Sequence, residues 1–130
     1  MRLRHVALVY GSERNADLFL VDVLGLAKSE PRTLSRDLAR AIFDLDRELP
    51  MINYTSDSLQ VEVFIDPAHR GRTERIEHVC LEVEDFATFL ERCGRAGIAV
   101  RRIPKAGRFV IFVRDGDNNL FEIKEWEPLP

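Results

Sequence analysis

Cysteine is scarce in this chain. Only Cys80 and Cys93 occur among the 130 residues, and their spacing fits neither a CxxC motif nor a metal finger. This argues against a disulfide scaffold and against a thiolate metal site. We therefore expect a reduced, cytoplasmic setting, with both thiols packed as small hydrophobic side chains.

Long apolar runs and a strong net charge are also missing. No run approaches the roughly 20 apolar residues needed to span a bilayer, so no membrane partner is expected. Residues 1–5 lead straight into a strand pattern, without the apolar core of a signal peptide. The net charge of −3 gives no electrostatic reason to expect a nucleic acid partner. Hydrophobic residues make up 45% and charged residues 32%, a balance typical of one globular domain over residues 1–130.

A short phrase occurs twice in the chain, as residues 3–9 (LRHVALV) and residues 76–83 (IEHVCLEV). In both, a histidine is followed by valine, one small residue and leucine, and the apolar residues alternate as in a strand. A helical pattern follows each phrase. We expect Ser12 to begin the first helix and Gly25 to end it, with Asp85 and Gly97 doing the same in the second.

Three more strand-like runs follow each helix. They are residues 27–34, 39–46 and 59–66 in the first half, and residues 98–103, 108–114 and 119–125 in the second. Residues 115–119 (DGDNN) favour a hairpin turn between the last two strands. Asn53 and Tyr54 lie near a predicted loop before the Glu62 strand, where a pocket could use them, but they are not chosen as site residues. The sequence thus predicts an α+β fold of two tandem βαβββ modules, at about residues 1–66 and 76–125, joined by a linker at 67–75.

Each module pairs a histidine on its first strand with a glutamate on its last. These pairs are His5 with Glu62 and His78 with Glu122. Each glutamate interrupts an apolar run, and a half-buried carboxylate is costly to keep charged unless a cation compensates it. Imidazole nitrogen and carboxylate oxygen together suit Zn, Ni, Co, Mn or Fe. Because the pair recurs in the same order, we predict one divalent metal ion held by all four side chains.

Four segments resemble the vicinal oxygen chelate superfamily, which includes glyoxalase I, methylmalonyl-CoA epimerase, fosfomycin-resistance proteins, extradiol dioxygenases and bleomycin-resistance proteins. The segments are residues 5–8 (HVAL), 22–26 (DVLGL), 78–79 (HV) and 115–122 (DGDNNLFE). The resemblance covers nearly the whole chain. It implies a curved, cup-shaped mixed sheet with the helices outside. It also implies a metal at the centre of the cup, held by the first and last strands of each module, which here carry His5, Glu62, His78 and Glu122.

The resemblance is strongest to the small glyoxalase I-type members with four metal ligands. It implies a metal-dependent lyase or isomerase that stabilises an enolate of a small α-oxygenated carbonyl substrate. Glu62 and Glu122 would then act both as metal ligands and as catalytic bases. Glyoxalase I often has a basic residue and an asparagine at the positions of Val9 and Asp66, which argues against glutathione as a substrate.

Two other functions within the superfamily stay open. A dioxygenase or thiol transferase would need only His5, His78 and Glu122, and a bleomycin-resistance-type protein would bind a small molecule without metal catalysis. Each module alone leaves an open sheet edge, so the halves must pair. They pair either within one chain or by exchange across a homodimer, and the sequence favours neither. We expect the protein to be a homodimer.

Overall fold

The computed structural model describes residues 1–127. The strands are β1 (Val6–Tyr10), β2 (Ala27–Lys28), β3 (Arg32–Leu34), β4 (Leu49–Thr55), β5 (Gln60–Ile65), β6 (Val79–Val83), β7 (Val100–Lys105), β8 (Arg108–Arg114) and β9 (Leu120–Glu125). The helices are α1 (Glu13–Ala16), which continues as a π-helix over Asp17–Val23, α2 (Arg36–Phe43) and α3 (Phe86–Ala96). Within these residues, no helix is both long and apolar enough to cross a membrane.

The strands form two sheets with the same internal plan. The first has the order β1-β5-β4-β2, with β3 also paired to β4, and the second has the order β6-β9-β8-β7. In each sheet the first strand of the module runs parallel to its last strand, and the other pairs are antiparallel. The predicted α+β fold with two repeated units is therefore confirmed. In both sheets the strand that follows the predicted histidine, β1 or β6, lies at an edge.

The predicted helix ends are confirmed. The Ser12 hydroxyl accepts a hydrogen bond from the Asn15 amide at 3.2 Å. In the second module the Asp85 carboxylate accepts one from the Thr88 amide at 2.9 Å. At the other ends, Gly25 has φ +74° and Gly97 has φ +70°, a backbone conformation that glycine adopts without steric cost.

The first module differs from the prediction in three places. Residues 39–46 were predicted as a strand, but residues 36–43 form helix α2, which begins after Ser35. The strand interpretation was wrong because Leu38, Ala39 and Ile42 recur at helical rather than alternating spacing. Asn53 and Tyr54 lie in strand β4 instead of a loop. The predicted strand at residues 27–34 is split into β2 and β3 around Pro31, which has no amide hydrogen to donate.

The π-helix and α3 cover one face of the two sheets and enclose a core shared by the two modules. Helix α2 packs on the other face of the first sheet, where the rings of Phe43 and Phe64 have centroids 5.3 Å apart. Phe19 of the π-helix packs on Phe121 of β9 with ring centroids 4.6 Å apart. Cys93 is buried in this core, as expected, and burial raises the pKa of its thiol to about 11. Cys80 is exposed, so the expectation of a core position was wrong for this residue. It lies on β6 between Val79 and Leu81, which pack against the core, and alternation turns it to the other face.

A buried carboxylate links the second module to the first. Asp117, in the turn between β8 and β9, is 8% exposed. It accepts hydrogen bonds from the Gly11 amide at 2.9 Å and from the Asn15 side-chain amide at 3.1 Å. Nearby, the Asn119 side chain donates to the Val9 carbonyl oxygen at 3.3 Å. The turn that joins the last two strands thus also holds the modules together.

Candidate metal centre

In the first module the structure brings His5 and Glu62 together. His5 immediately precedes β1, and Glu62 lies on the adjacent strand β5 opposite Ala7. Because Val61 and Val63 point into the core, alternation places Glu62 on the face that the core does not cover. The His5 Nε2 atom is 4.0 Å from Glu62 Oε1, and the two side chains are 42% and 21% exposed.

The second module repeats this arrangement with tighter contact. His78 immediately precedes β6, and Glu122 lies on the adjacent strand β9 opposite Cys80. The His78 Nε2 atom is 3.5 Å from Glu122 Oε2, with side-chain exposures of 35% and 19%. Although Cys80 is exposed overall, partial desolvation of its thiol, followed by the negative charge of Glu122, raises the pKa of that thiol. This pair too lies on the face turned away from the core.

Two contacts orient the His78 ring. Its Nδ1 atom is 2.8 Å from the Ile76 carbonyl oxygen, and since a carbonyl only accepts, Nδ1 carries the hydrogen. The Phe112 ring lies edge-on against the imidazole, with centroids 5.4 Å apart. In a neutral ring this tautomer leaves the lone pair on Nε2, the nitrogen that points towards Glu122. A histidine that binds a metal through one ring nitrogen usually donates such a hydrogen bond from the other.

Neither glutamate has a basic side chain other than histidine beside it. Within residues 1–127, the only cationic or potentially cationic groups within 4.0 Å of Glu62 and Glu122 are the two histidines. By contrast, Asp66, at the end of β5, is paired with Arg47. Two partly buried carboxylates without a fixed cation are suited to binding a metal ion.

The two pairs do not come together in one chain. In the described part of the chain, no group of three or more histidine, cysteine, aspartate or glutamate side chains is placed to hold a metal ion. Each sheet therefore supplies one imidazole and one carboxylate, half of the predicted set. The coordination of one ion by His5, Glu62, His78 and Glu122 stays a prediction.

Two residues near the pairs were not among the predicted site residues. Asn53 lies directly opposite Glu62 in the β4–β5 ladder, and its side-chain oxygen is buried with no partner among residues 1–127. Phe112 lies opposite Glu122 and supports His78. The signal for Phe112 was present, because alternation along β8 sets it apart from the core residues Ile111 and Val113. Asn53 was considered as a pocket residue but not chosen, because β4 was not recognised as a strand.

Comparison with solved structures identifies the fold. A glyoxalase family protein from Enterococcus faecalis superposes with a TM-score of 0.71 at 18% identity, covering 95% of this chain and 97% of the other. The fosfomycin resistance protein FosX from Mesorhizobium loti gives a TM-score of 0.69 at 20% identity, with coverages of 98% and 93%. The chain has the vicinal oxygen chelate fold. A third structure with this fold is a FosX mutant from Listeria monocytogenes complexed with Mn(II) and 1S,2S-dihydroxypropylphosphonic acid. It has a TM-score of 0.69 at 17% identity, with coverages of 98% and 91%.

Sequence comparison adds nothing to the structural match. No family model and no curated protein matches the chain. The vicinal oxygen chelate fold is therefore recognised from the backbone and from short motifs, at identities of 20% or less in these three structures.

Proposed function

We propose that this chain is a divalent-metal-dependent enzyme of the vicinal oxygen chelate superfamily. The observation that carries the proposal is the repeated pair of a histidine and a half-buried glutamate on the face of each sheet opposite the shared core. His5, Glu62, His78 and Glu122 would hold the ion. The donor set and the Nδ1-bonded His78 suit Zn, Ni, Co, Mn or Fe. The Mn(II) in the FosX complex from Listeria monocytogenes supports this range.

We further propose that the site is completed by a second copy of the chain. Within residues 1–127 of one copy, the two histidine–glutamate pairs do not form one group that could hold a metal ion. Strands β1 and β6, which directly follow the two histidines, are both sheet edges, and an open edge is a natural place for another strand to pair. A groove of about 780 Å³ lies beside β6 and is lined by residues 80–85, by Val23 and Leu24, and by Phe89 of α3. A homodimer in which β1 of one copy meets β6 of the other would bring one pair from each chain together.

The proposed chemistry is proton abstraction next to an oxygenated carbon. A bound divalent ion would supply Lewis-acid polarisation of the substrate oxygens. The chain supplies the base, because within residues 1–127 the carboxylates of Glu62 and Glu122 pair with no lysine or arginine, and both lie on the face opposite the shared core. A carboxylate there can accept the proton of a neighbouring C–H group and return it to an adjacent atom. We therefore propose a lyase or isomerase acting on a small α-oxygenated carbonyl compound.

The test compares Glu122→Ala with Glu125→Ala. Both residues lie on β9, but Glu125 is exposed and outside the proposed site. We expect Glu122→Ala to lose tight metal binding in a titration with Mn(II) or Ni(II), and Glu125→Ala to bind as the parent does. Unchanged metal affinity in Glu122→Ala, or a parent protein that takes up no metal, would refute the proposal. The second outcome would favour a bleomycin-resistance-type binding protein.

A three-ligand site is the second candidate, as in a dioxygenase or thiol transferase of the superfamily. It is favoured by the looser contact in the first module, where the nitrogen–oxygen distance is 4.0 Å against 3.5 Å in the second. In this case His5, His78 and Glu122 would suffice. Metal binding that survives Glu62→Ala but not Glu122→Ala would select this candidate over the four-ligand site.

A further inference from the structure

A row of four side chains crosses the uncovered face of the second sheet. The strand register pairs Cys80 with Glu122, Glu122 with Phe112, and Phe112 with Arg101. These residues lie on β6, β9, β8 and β7, so the row runs from one edge of the sheet to the other. It begins beside the proposed metal ligands and ends at an arginine.

The neighbour of Arg101 shows which way Arg101 points. The Arg102 guanidinium carbon lies 5.8 Å from the centroid of the Phe86 ring, on helix α3, so Arg102 is on the helix side of the sheet. Successive residues of a strand point to opposite faces. Arg101 therefore points to the face of Phe112 and Glu122, where Phe112 contacts the His78 ring.

The charge of Arg101 is not neutralised by any residue in the described part of the chain. Arg101 is exposed and forms no ion pair with any residue of the described range 1–127. Adjacent strands are about 4.8 Å apart, so the Arg101 and Glu122 backbones are separated by about 10 Å. A small molecule whose oxygens bind a metal ion held by His78 and Glu122 would lie over the apolar Phe112 ring. Its far end would then reach the Arg101 guanidinium.

We propose that the substrate carries an anionic group, a carboxylate or a phosphonate, a few bonds from the oxygens that face the metal site, and that Arg101 binds it. This inference rests on the proposed function, since it assumes that His78 and Glu122 hold the metal ion that binds one end of the substrate. Arginine suits the role because its planar guanidinium donates two parallel hydrogen bonds to such a group. Arg101 thus determines specificity without touching the reacting carbon.

The test uses three hydroxamates, whose two vicinal oxygens bind metal ions. Butanohydroxamate has a neutral end, and succinomonohydroxamate and 3-phosphonopropanohydroxamate carry an anionic group at a similar distance. Their dissociation constants are measured by calorimetry on the full chain loaded with Mn(II). Arg101→Gln is compared with Arg102→Gln, which removes the same charge from the other face of the same strand.

We expect the parent to bind one or both anionic probes about fivefold more tightly than the neutral one, the scale of an exposed ion pair. Arg101→Gln should abolish this preference, and Arg102→Gln should retain it. The probe that shows the larger preference identifies the anionic group as carboxylate or phosphonate. Equal binding of all three probes by the metal-loaded parent, or a preference that survives in Arg101→Gln, would overturn the inference and leave the proposed function intact. Failure of the parent to bind Mn(II) would instead overturn the proposed function and, with it, the inference.

Discussion

Replacing Asp117 by alanine should loosen the attachment of the second module to the first. The change removes two hydrogen bonds, one from the Gly11 amide and one from the Asn15 side chain. Both hydrogen bonds are donated to the side-chain carboxylate of Asp117, a residue that is only 8% exposed. At about 1.5 kcal/mol each, we expect a loss of about 3 kcal/mol in the free energy of unfolding. Asp117→Asn keeps one acceptor oxygen for Gly11 and should lose about half as much.

Urea denaturation followed by circular dichroism measures this loss. With a slope of about 1.5 kcal/mol per molar urea, a loss of 3 kcal/mol lowers the midpoint by about 2 M. The control is Asp57→Ala, an exposed residue in the turn before β5, which should change stability by less than about 0.5 kcal/mol. A loss below about 1 kcal/mol for Asp117→Ala would show that the turn does not hold the modules together.

Three further substitutions test other parts of the fold. A methyl group at Gly71 would lie 2.2 Å from the Asp117 carbonyl oxygen, so Gly71→Ala should destabilise the chain by about 2 kcal/mol in the same urea assay. At Gly94, in α3, such a methyl group would have no atom of residues 1–127 within 4 Å apart from the neighbouring residues and backbone of its own helix, so Gly94→Ala should stabilise by about 0.5–1 kcal/mol. Hydrogen bonds from Thr88 hold the pKa of Asp85 below its ordinary 3.8, so this carboxylate stabilises the fold above that pH. The stability difference between the parent and Asp85→Ala, from urea midpoints at several pH values, should shrink as the pH falls through the lowered pKa; a pH-independent difference would contradict the assignment.

The repeat and its capping residues made most of the fold predictable. The second module follows the prediction closely because its strands alternate clearly and its turn at residues 115–119 is rich in residues that favour turns. The first module was less predictable because α2 is short and was taken for a strand. Strand β4 carries Pro50 and Asn53, which are uncommon in strands.

The site was predictable only one pair at a time. Alternation within β5 and β9 indicated that Glu62 and Glu122 face away from their apolar neighbours, and the structure places each beside its histidine. The relation between the two pairs depends on how sheets meet, which no local pattern encodes. The importance of Arg101 was hidden for a similar reason, since its place opposite Phe112 follows from the β7–β8 register.

The most direct test of the shared site mixes two variants that each lack one proposed metal ligand. In His5→Gln and His78→Gln, every site of a homodimer lacks one proposed ligand, and each variant alone should bind little metal. After the two are unfolded together and refolded at equal concentration, about half of the dimers are mixed, and one of their two sites has all four ligands. Tight metal binding should therefore return to about a quarter of the parent value per chain. If the parent binds one ion per chain but the mixture regains no tight metal binding, a metal centre shared between subunits is contradicted.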